Sequence, residues 1–139
     1  MQVENYKLQN LLKAVMPIKQ NQNLAYGTVF AIAKLIKFGE EALKPSNELT
    51  TSLQKEYPAM KDEDGKVIMV AVGPGQSRPQ FQNEEEYFKK LTDLANEKTD
   101  FIMNRFEISI KKNETRLSVD LVSAFMAVFG DEFVVNEIE

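Results

Sequence analysis

The side chains best suited to chemistry lie in one loop, GPGQSRPQF over 73–81, which follows an apolar run. Glycines at 73 and 75 let a ligand approach the backbone closely, and Arg78 offers a bidentate cation of the kind that binds phosphates. The candidate site for a small anionic ligand such as a nucleotide comprises Gly75, Gln76, Ser77, Arg78, Gln80 and Phe81. The simpler interpretations are a solvated connecting loop or a loop that contacts another protein.

Two phosphate-binding motifs can be compared with this loop, and neither fits. A P-loop needs Gly-Lys-Ser/Thr leading into a helix, and a dinucleotide fingerprint needs a third glycine where Arg78 stands. Pro74 also removes one of the backbone N–H donors that an anion nest requires. A nucleotide site here would therefore depend on side chains.

The acidic residues suggest a turn and a helix start in place of a metal site. Placing Gly65 at position six of a calcium loop puts Met60 at position one and Ala71 at position twelve, so both ligand positions fail. Asp64-Gly65 is better explained as a turn. The run Glu84–Glu86 opens a helix, where carboxylates oppose the positive end of the macrodipole. We predict no bound metal.

The sequence contains no His, no Cys and no Trp. The commonest general base, the commonest neutral metal ligand and the thiol nucleophile are therefore absent. We predict a protein that binds without catalysis, with no catalytic residues and no cofactor. An enzyme that works through Asp, Glu, Lys, Tyr or Ser alone is the alternative.

Charge and hydropathy argue against two classes of partner, nucleic acids and membranes. Residues 1–61 carry eight Lys against five Glu, which gives +3, and residues 62–139 carry nine basic against sixteen acidic residues, which gives −7. Only three arginines occur, and they are scattered, so the basic stripe of a nucleic-acid binder is missing. No apolar run is long enough to cross a bilayer, and the first ten residues do not resemble a secretion signal. We predict a cytoplasmic protein.

Periodicity predicts an α+β fold, mostly helical, with a small two- or three-stranded antiparallel sheet. The expected helices are five, at 3–16, 24–44, 47–57, 84–98 and 119–129. Pro17 and Pro45 end the first two, Asn23 caps the second, and a polar linker occupies 20–23. The expected strands are 67–72, the strictly alternating 105–111, and 133–135, with a turn at 112–114. Ser118 is expected to cap the last helix and Gly130 to close it.

The chain length predicts a single domain over 1–139. Within it lie a helical half (1–60), a loop and strand segment (61–82), and a helix-strand-helix segment (83–139). Helices 24–44 and 119–129 are more apolar than one small core requires, which favours apolar surface shared between subunits. We therefore expect a homo-oligomer.

The layout resembles that of small accessory or early-region proteins of tailed phages. The features that carry the resemblance are the N-terminal helical pair, the insert 61–66 (KDEDGK), the Glu-rich helix, the strand around Ile108 and the closing helix from Leu117. The resemblance implies an accessory role, including interference with host defence. It implies no activity and no functional residues.

These observations lead to one prediction with two alternatives. We expect a non-enzymatic, oligomeric binding protein of a phage or prophage, which sequesters a small nucleotide-like ligand or occupies a host protein. The alternatives are a structural, assembly or replication accessory subunit of a phage, and a carboxylate-based enzyme.

Overall fold

The computed structural model describes residues 1–18, 24–111 and 117–138. The helices are α1 (Asn5–Val15), α2 (Tyr26–Glu56), α3 (Glu84–Asn96) and α4 (Val119–Phe129). The strands are β1 (Gln2–Glu4), β2 (Met69–Gly73), β3 (Gln76–Pro79), β4 (Lys98–Asp100), β5 (Phe106–Lys111) and β6 (Phe133–Ile138). The predicted α+β class is confirmed.

The chain divides into two compact units, Met1–Lys44 with Asn96–Glu139, and Pro45–Ala95. The first unit holds the main hydrophobic core, in which α1 packs against α4. Leu8, Leu11 and Val15 are fully buried because they share one face of α1. The single domain over 1–139 stays a prediction.

Aromatic rings from α4, β5 and β6 form the centre of this core. The ring centroids of Phe125 and Phe133 lie 4.6 Å apart, and those of Phe106 and Phe125 lie 4.8 Å apart. The predicted alternation of the 105–111 strand is confirmed, since Phe106, Ile108 and Ile110 are buried while Glu107 is exposed. This alternation turns one face of β5 toward α4.

The number of helices is four within the described residues, because the predicted break at Pro45 is wrong. The segments 24–44 and 47–57 form the single helix α2, which continues through Pro45. A proline inside a helix removes one backbone hydrogen bond and costs roughly 3 kcal/mol. Leu43, two residues before the proline, is buried in the hydrophobic core, and this burial opposes that cost. Local propensity indicated that Pro45 disfavours a helix, but it could not indicate the tertiary packing that keeps α2 continuous there.

The predicted single sheet is also wrong, because the described strands form three separate pairs. Strand β2 pairs with β3, and β5 pairs with β6 in parallel register from Phe106↔Phe133 to Lys111↔Ile138. Strands β1 and β4, which the sequence did not reveal, pair in antiparallel fashion where helices had been predicted to begin and end. Short strands of three residues carry too little periodicity to be recognised.

Two predicted helix caps are confirmed. The Ser118 hydroxyl accepts a hydrogen bond from the Leu121 N–H at 3.1 Å, which fixes the start of α4. Gly130 follows α4 with a φ of +57°, a conformation that favours glycine. The predicted linker at 20–23, the Asn23 cap and the turn at 112–114 lie outside the described residues.

Candidate functional site

The loop predicted from sequence lies in the unit Pro45–Ala95, where it forms a β-hairpin. Pro74 and Gly75 occupy the turn between β2 and β3, and Gly75 has a φ of +69°. Proline fixes the first central position of a type II turn, and glycine tolerates the positive φ of the second. The GPG sequence is thus explained by turn geometry alone.

The acidic segment before β2 is a turn, as predicted. One carboxylate oxygen of Asp62 accepts hydrogen bonds from the N–H groups of Asp64 and Lys66, both at 2.9 Å. Gly65 has a φ of +79°. The turn returns the chain so that Val67 pairs with Lys61. The Asp62 side chain therefore stabilises the backbone of the turn by accepting these hydrogen bonds, as in an Asx turn.

A ring of three backbone hydrogen bonds holds the base of the hairpin. Met60 N–H donates to Gln80 O at 2.7 Å, Gln80 N–H to Ile68 O at 2.8 Å, and Ile68 N–H to Met60 O at 2.9 Å. The backbone of Gln80, one of the predicted site residues, is fully used in this ring. Its role here is to join three chain segments.

The guanidinium of Arg78 is engaged by the protein itself. Its Nη1 donates to Glu84 Oε1 at 2.7 Å and to Pro79 O at 2.9 Å, and its Nη2 lies 3.4 Å from Glu84 Oε2. The guanidinium carbon lies 4.8 Å from the centre of the Phe88 ring. A bidentate carboxylate and an aromatic face are the partners that a phosphate or a base would otherwise supply.

Glu84 completes this arrangement at the start of α3. Its Oε1 also accepts a hydrogen bond from the Phe81 N–H at 2.9 Å. The hydrogen bonds from Arg78 and from this N–H hold the pKa of Glu84 below its ordinary value of 4.5. The Arg78 guanidinium, hydrogen-bonded to that carboxylate, has a raised pKa in turn. The pair ties the hairpin to α3.

The six predicted site residues do not converge on one point. Gly75, Gln76 and Ser77 are exposed at the hairpin tip, and successive strand residues such as Ser77 and Arg78 point to opposite faces. The Phe81 ring packs toward α3, with its centre 4.9 Å from that of Tyr87. Ligand binding by these six residues stays a prediction. To bind an anion, Arg78 would have to release the carboxylate of Glu84.

A second cluster in the same unit surrounds Tyr57. This buried tyrosine stacks on Tyr87 with ring centres 5.4 Å apart, and Lys90 Nζ lies 5.0 Å from the centre of its ring. Lys90 also forms ion pairs with Glu86 at 3.4 Å and Glu56 at 3.6 Å. Hydrogen bonding to Tyr57 is the main cause that raises the pKa of Lys90 and lowers that of Glu86. Both side chains stay charged, so neither is suited to proton transfer near neutrality.

A surface depression of about 490 Å³ lies at the start of α3. It is lined by Asn83, Glu84, Glu85, Glu86 and Lys89. Three carboxylates repel an anion more than one ammonium group attracts it. This depression is therefore poorly matched to a nucleotide.

Strand β2 and its approach expose apolar side chains to solvent. Val67 is 41% exposed, Met69 52% and Val72 53%. A bulge between Ala71 and Gly73 breaks the regular register beside Val72, and bulges commonly redirect a side chain. We call these three exposed apolar residues, which follow the acidic turn in the sequence, the hairpin patch.

Sequence reasoning missed the residues that organise this unit. Glu84 was attributed to the helix dipole together with Glu85 and Glu86, and nothing local distinguishes the one that binds Arg78. The partnership of Tyr57 with Lys90 links positions 33 residues apart in the sequence. The one available signal was an arginine six residues before a glutamate at a helix start, which is too common to be diagnostic.

Residues 1–18, 24–111 and 117–138 contain no group of three or more acidic side chains placed to hold a metal ion. No helix in the same ranges combines the length and apolar character needed to cross a bilayer.

Comparison of the chain with protein-family models, curated proteins and solved structures gives no match.

Proposed function

We propose that this chain is a non-enzymatic binding protein whose hairpin patch holds a partner protein. The observation that carries the proposal is the exposure of Val67, Met69 and Val72 on a hairpin whose base is fixed by hydrogen bonds. Uncovered apolar side chains on a rigid support are typical of protein contact surfaces. The phage-encoded accessory role and the cytoplasmic location predicted from sequence belong to the same proposal.

Charge indicates which kind of partner fits. The hairpin patch adjoins the exposed acidic turn formed by Asp62, Glu63 and Asp64, since Lys61 and Val67 pair across that turn. Residues 45–95 carry nine acidic against six basic side chains, a net charge of −3. The complementary surface is apolar and bordered by Lys or Arg, because opposite potentials guide association and fix register.

The polar groups of the unit support a binding role over a catalytic one. Arg78 and Glu84 satisfy each other, and Lys90 is held by Glu86 and Glu56. A catalytic acid or base has to change protonation state near the working pH. Arg78, Glu84, Glu86 and Lys90 each have a pKa shifted in the direction that keeps the side chain charged.

The experiment compares three immobilised proteins in host-cell extract: wild type, the Met69→Glu/Val72→Glu variant, and Ile102→Glu. Ile102 is 74% exposed and lies in the other unit, so its substitution is the matched control. A protein captured by wild type and by the control is then purified and titrated. We expect the hairpin variant to weaken binding about ten-fold or more, and wild-type association to slow with added salt.

Three results would contradict the proposal. One is equal loss of binding in the hairpin variant and the control. Another is a calorimetric signal with nucleotides that disappears on Arg78→Ala, which would favour the ligand form of the prediction. The third is turnover of any substrate by a homogeneous preparation that is lost on one Asp or Glu substitution.

A further inference from the structure

Strand β6 presents an open edge to solvent. It pairs with β5 over six residues without a bulge, and in the described part of the chain it has no second neighbour. Residues 135–138 are all exposed, including Val135 at 40% and Ile138 at 38%. Parallel sheets are normally covered on their faces and extended beyond two strands, so this pair is an incomplete sheet.

The opposite edge of the same sheet is occupied. Leu24 forms a bridge with Ile110, and the buried Thr28 hydroxyl accepts the Ser109 N–H at 2.8 Å. The outer side of β5 is thereby occupied at Ser109 and Ile110. The β6 side is the edge of this sheet that is left open among the residues described.

Proteins usually protect an open edge with lysine, proline or a bulge. The sequence of β6, FVVNEI, contains neither lysine nor proline, and its register is regular. It carries one charged side chain, Glu137. An edge of this kind favours strand addition.

We propose that β6 pairs with β6 of a second copy of this chain, in antiparallel orientation about a two-fold axis at Asn136. A two-fold axis relating antiparallel strands stands perpendicular to the sheet, so one residue faces its own copy. Centring on Asn136 places Val134 opposite Ile138 of the copy and Val135 opposite Glu137. Centring on Glu137 would place two carboxylates face to face, which destabilises a pair.

The resulting assembly is a four-stranded sheet that closes on itself. The order is β5-β6-β6-β5, and each outer β5 edge is occupied at Ile110 by Leu24 and at Ser109 by Thr28 of its own chain. The association therefore ends at a dimer. Five facing residue pairs bury less than a standard interface, so the dimer is reversible and depends on concentration. The hairpin patch belongs to the other unit, so this inference is independent of the proposed function.

The test is analytical ultracentrifugation of wild type, Asn136→Lys, Asn136→Asp and the control Asn104→Lys, each over a wide concentration range. Asn104 is an exposed asparagine of the same unit outside the sheet. Like charges facing each other on the axis raise the dimer dissociation constant about five-fold for each kcal/mol of repulsion. We expect wild type and Asn104→Lys to dimerise equally, and the two Asn136 variants to dissociate when each is alone.

Mixing the Asn136→Lys and Asn136→Asp chains in equal amounts should restore the dimer, because opposite charges then face each other. This mixing also shows that both variants are folded. The inference is overturned by a wild-type protein that stays monomeric at millimolar concentration. It is equally overturned by a dimer that Asn136→Lys leaves intact, or by a mixture that does not associate.

Discussion

Gly39 offers a sharp test of how α1 and α2 pack. A Cβ atom added there would lie 2.7 Å from Leu12 Cδ2, 3.0 Å from Cδ1 and 3.2 Å from Cγ. Because Cγ, the branch point, is also close, the Leu12 side chain as a whole has to shift to make room. Gly27, near the start of the same helix, has no atom within 4 Å of its added Cβ. Both glycines lie in α2, but an added methyl group would meet Leu12 at Gly39 and open space at Gly27.

The expected free energies follow from two opposing effects. Replacing a helical glycine by alanine stabilises a protein by about 0.5–1 kcal/mol. At Gly27 only this gain applies. At Gly39 overpacking costs roughly 1–3 kcal/mol, so the net effect is a loss of about 0–2 kcal/mol. We therefore expect Gly39→Ala to be less stable than Gly27→Ala by about 1–3 kcal/mol.

The assay is thermal and urea unfolding of both variants and wild type. For a chain of this size, 1 kcal/mol corresponds to about 4 °C in Tm. In a Leu12→Ala background the clash is removed, so Gly39→Ala should become stabilising, and the double-mutant cycle isolates the contact. Equal stabilisation by Gly39→Ala and Gly27→Ala in the wild-type background would refute the close approach of the two helices.

Three further predictions use matched pairs of variants. Glu84→Gln should lower the Tm at neutral pH more than Glu85→Gln, because Glu85 has neither the guanidinium nor the N–H partner. Because the pKa of Glu84 is lowered in the folded protein, this carboxylate stabilises the fold above its ordinary pKa of 4.5. That stabilisation is lost as the pH falls through the lower folded-state pKa, and Glu84→Gln should flatten this part of the curve of stability against pH. Phe125→Ala should cost roughly 3–5 kcal/mol, since the ring is fully buried, whereas Phe30→Ala at a 65% exposed position should change stability by less than about 0.5 kcal/mol; similar losses would contradict the assigned core. Thr28→Val should cost about 1–3 kcal/mol by leaving a β5 N–H unpaired, and Thr28→Ser should retain most of the stability in chemical unfolding.

The proposals for function and self-association make separate demands on the molecule. Binding of a partner requires the exposed side chains of the hairpin patch, in the unit Pro45–Ala95. Dimerisation requires the free backbone edge of β6, in the unit formed by Met1–Lys44 and Asn96–Glu139. Variants at Met69 and at Asn136 therefore test them independently.

Elements with strong local signals could be predicted from the sequence. Alternating apolar residues identified β5, the apolar spacing of Leu8 and Leu11 identified α1, and Ser118 with Gly130 identified the ends of α4. These features depend on neighbouring residues, so a single sequence contains the information. The Asp64-Gly65 turn is of the same kind, because Asp62 and Gly65 supply its geometry locally.

The candidate site was only partly predictable. The sequence indicated the turn at Gly75 and the potential of Arg78 to bind an anion. It could not indicate that Glu84 occupies that guanidinium, because three adjacent glutamates are locally equivalent. Their difference arises from the direction in which α3 meets the hairpin.

The sequence by itself determined the absence of imidazole and thiol chemistry, the α+β class, and the caps and turns whose partners lie within a few residues. Only the tertiary structure decided that α2 continues through Pro45, that β5 pairs in parallel with β6, and that Arg78 is already neutralised. The physical reason is the sequence distance over which each kind of interaction acts. Capping and periodicity act over one turn of chain, whereas strand pairing, burial and ion pairing join residues far apart in sequence, and their energies exceed local preferences.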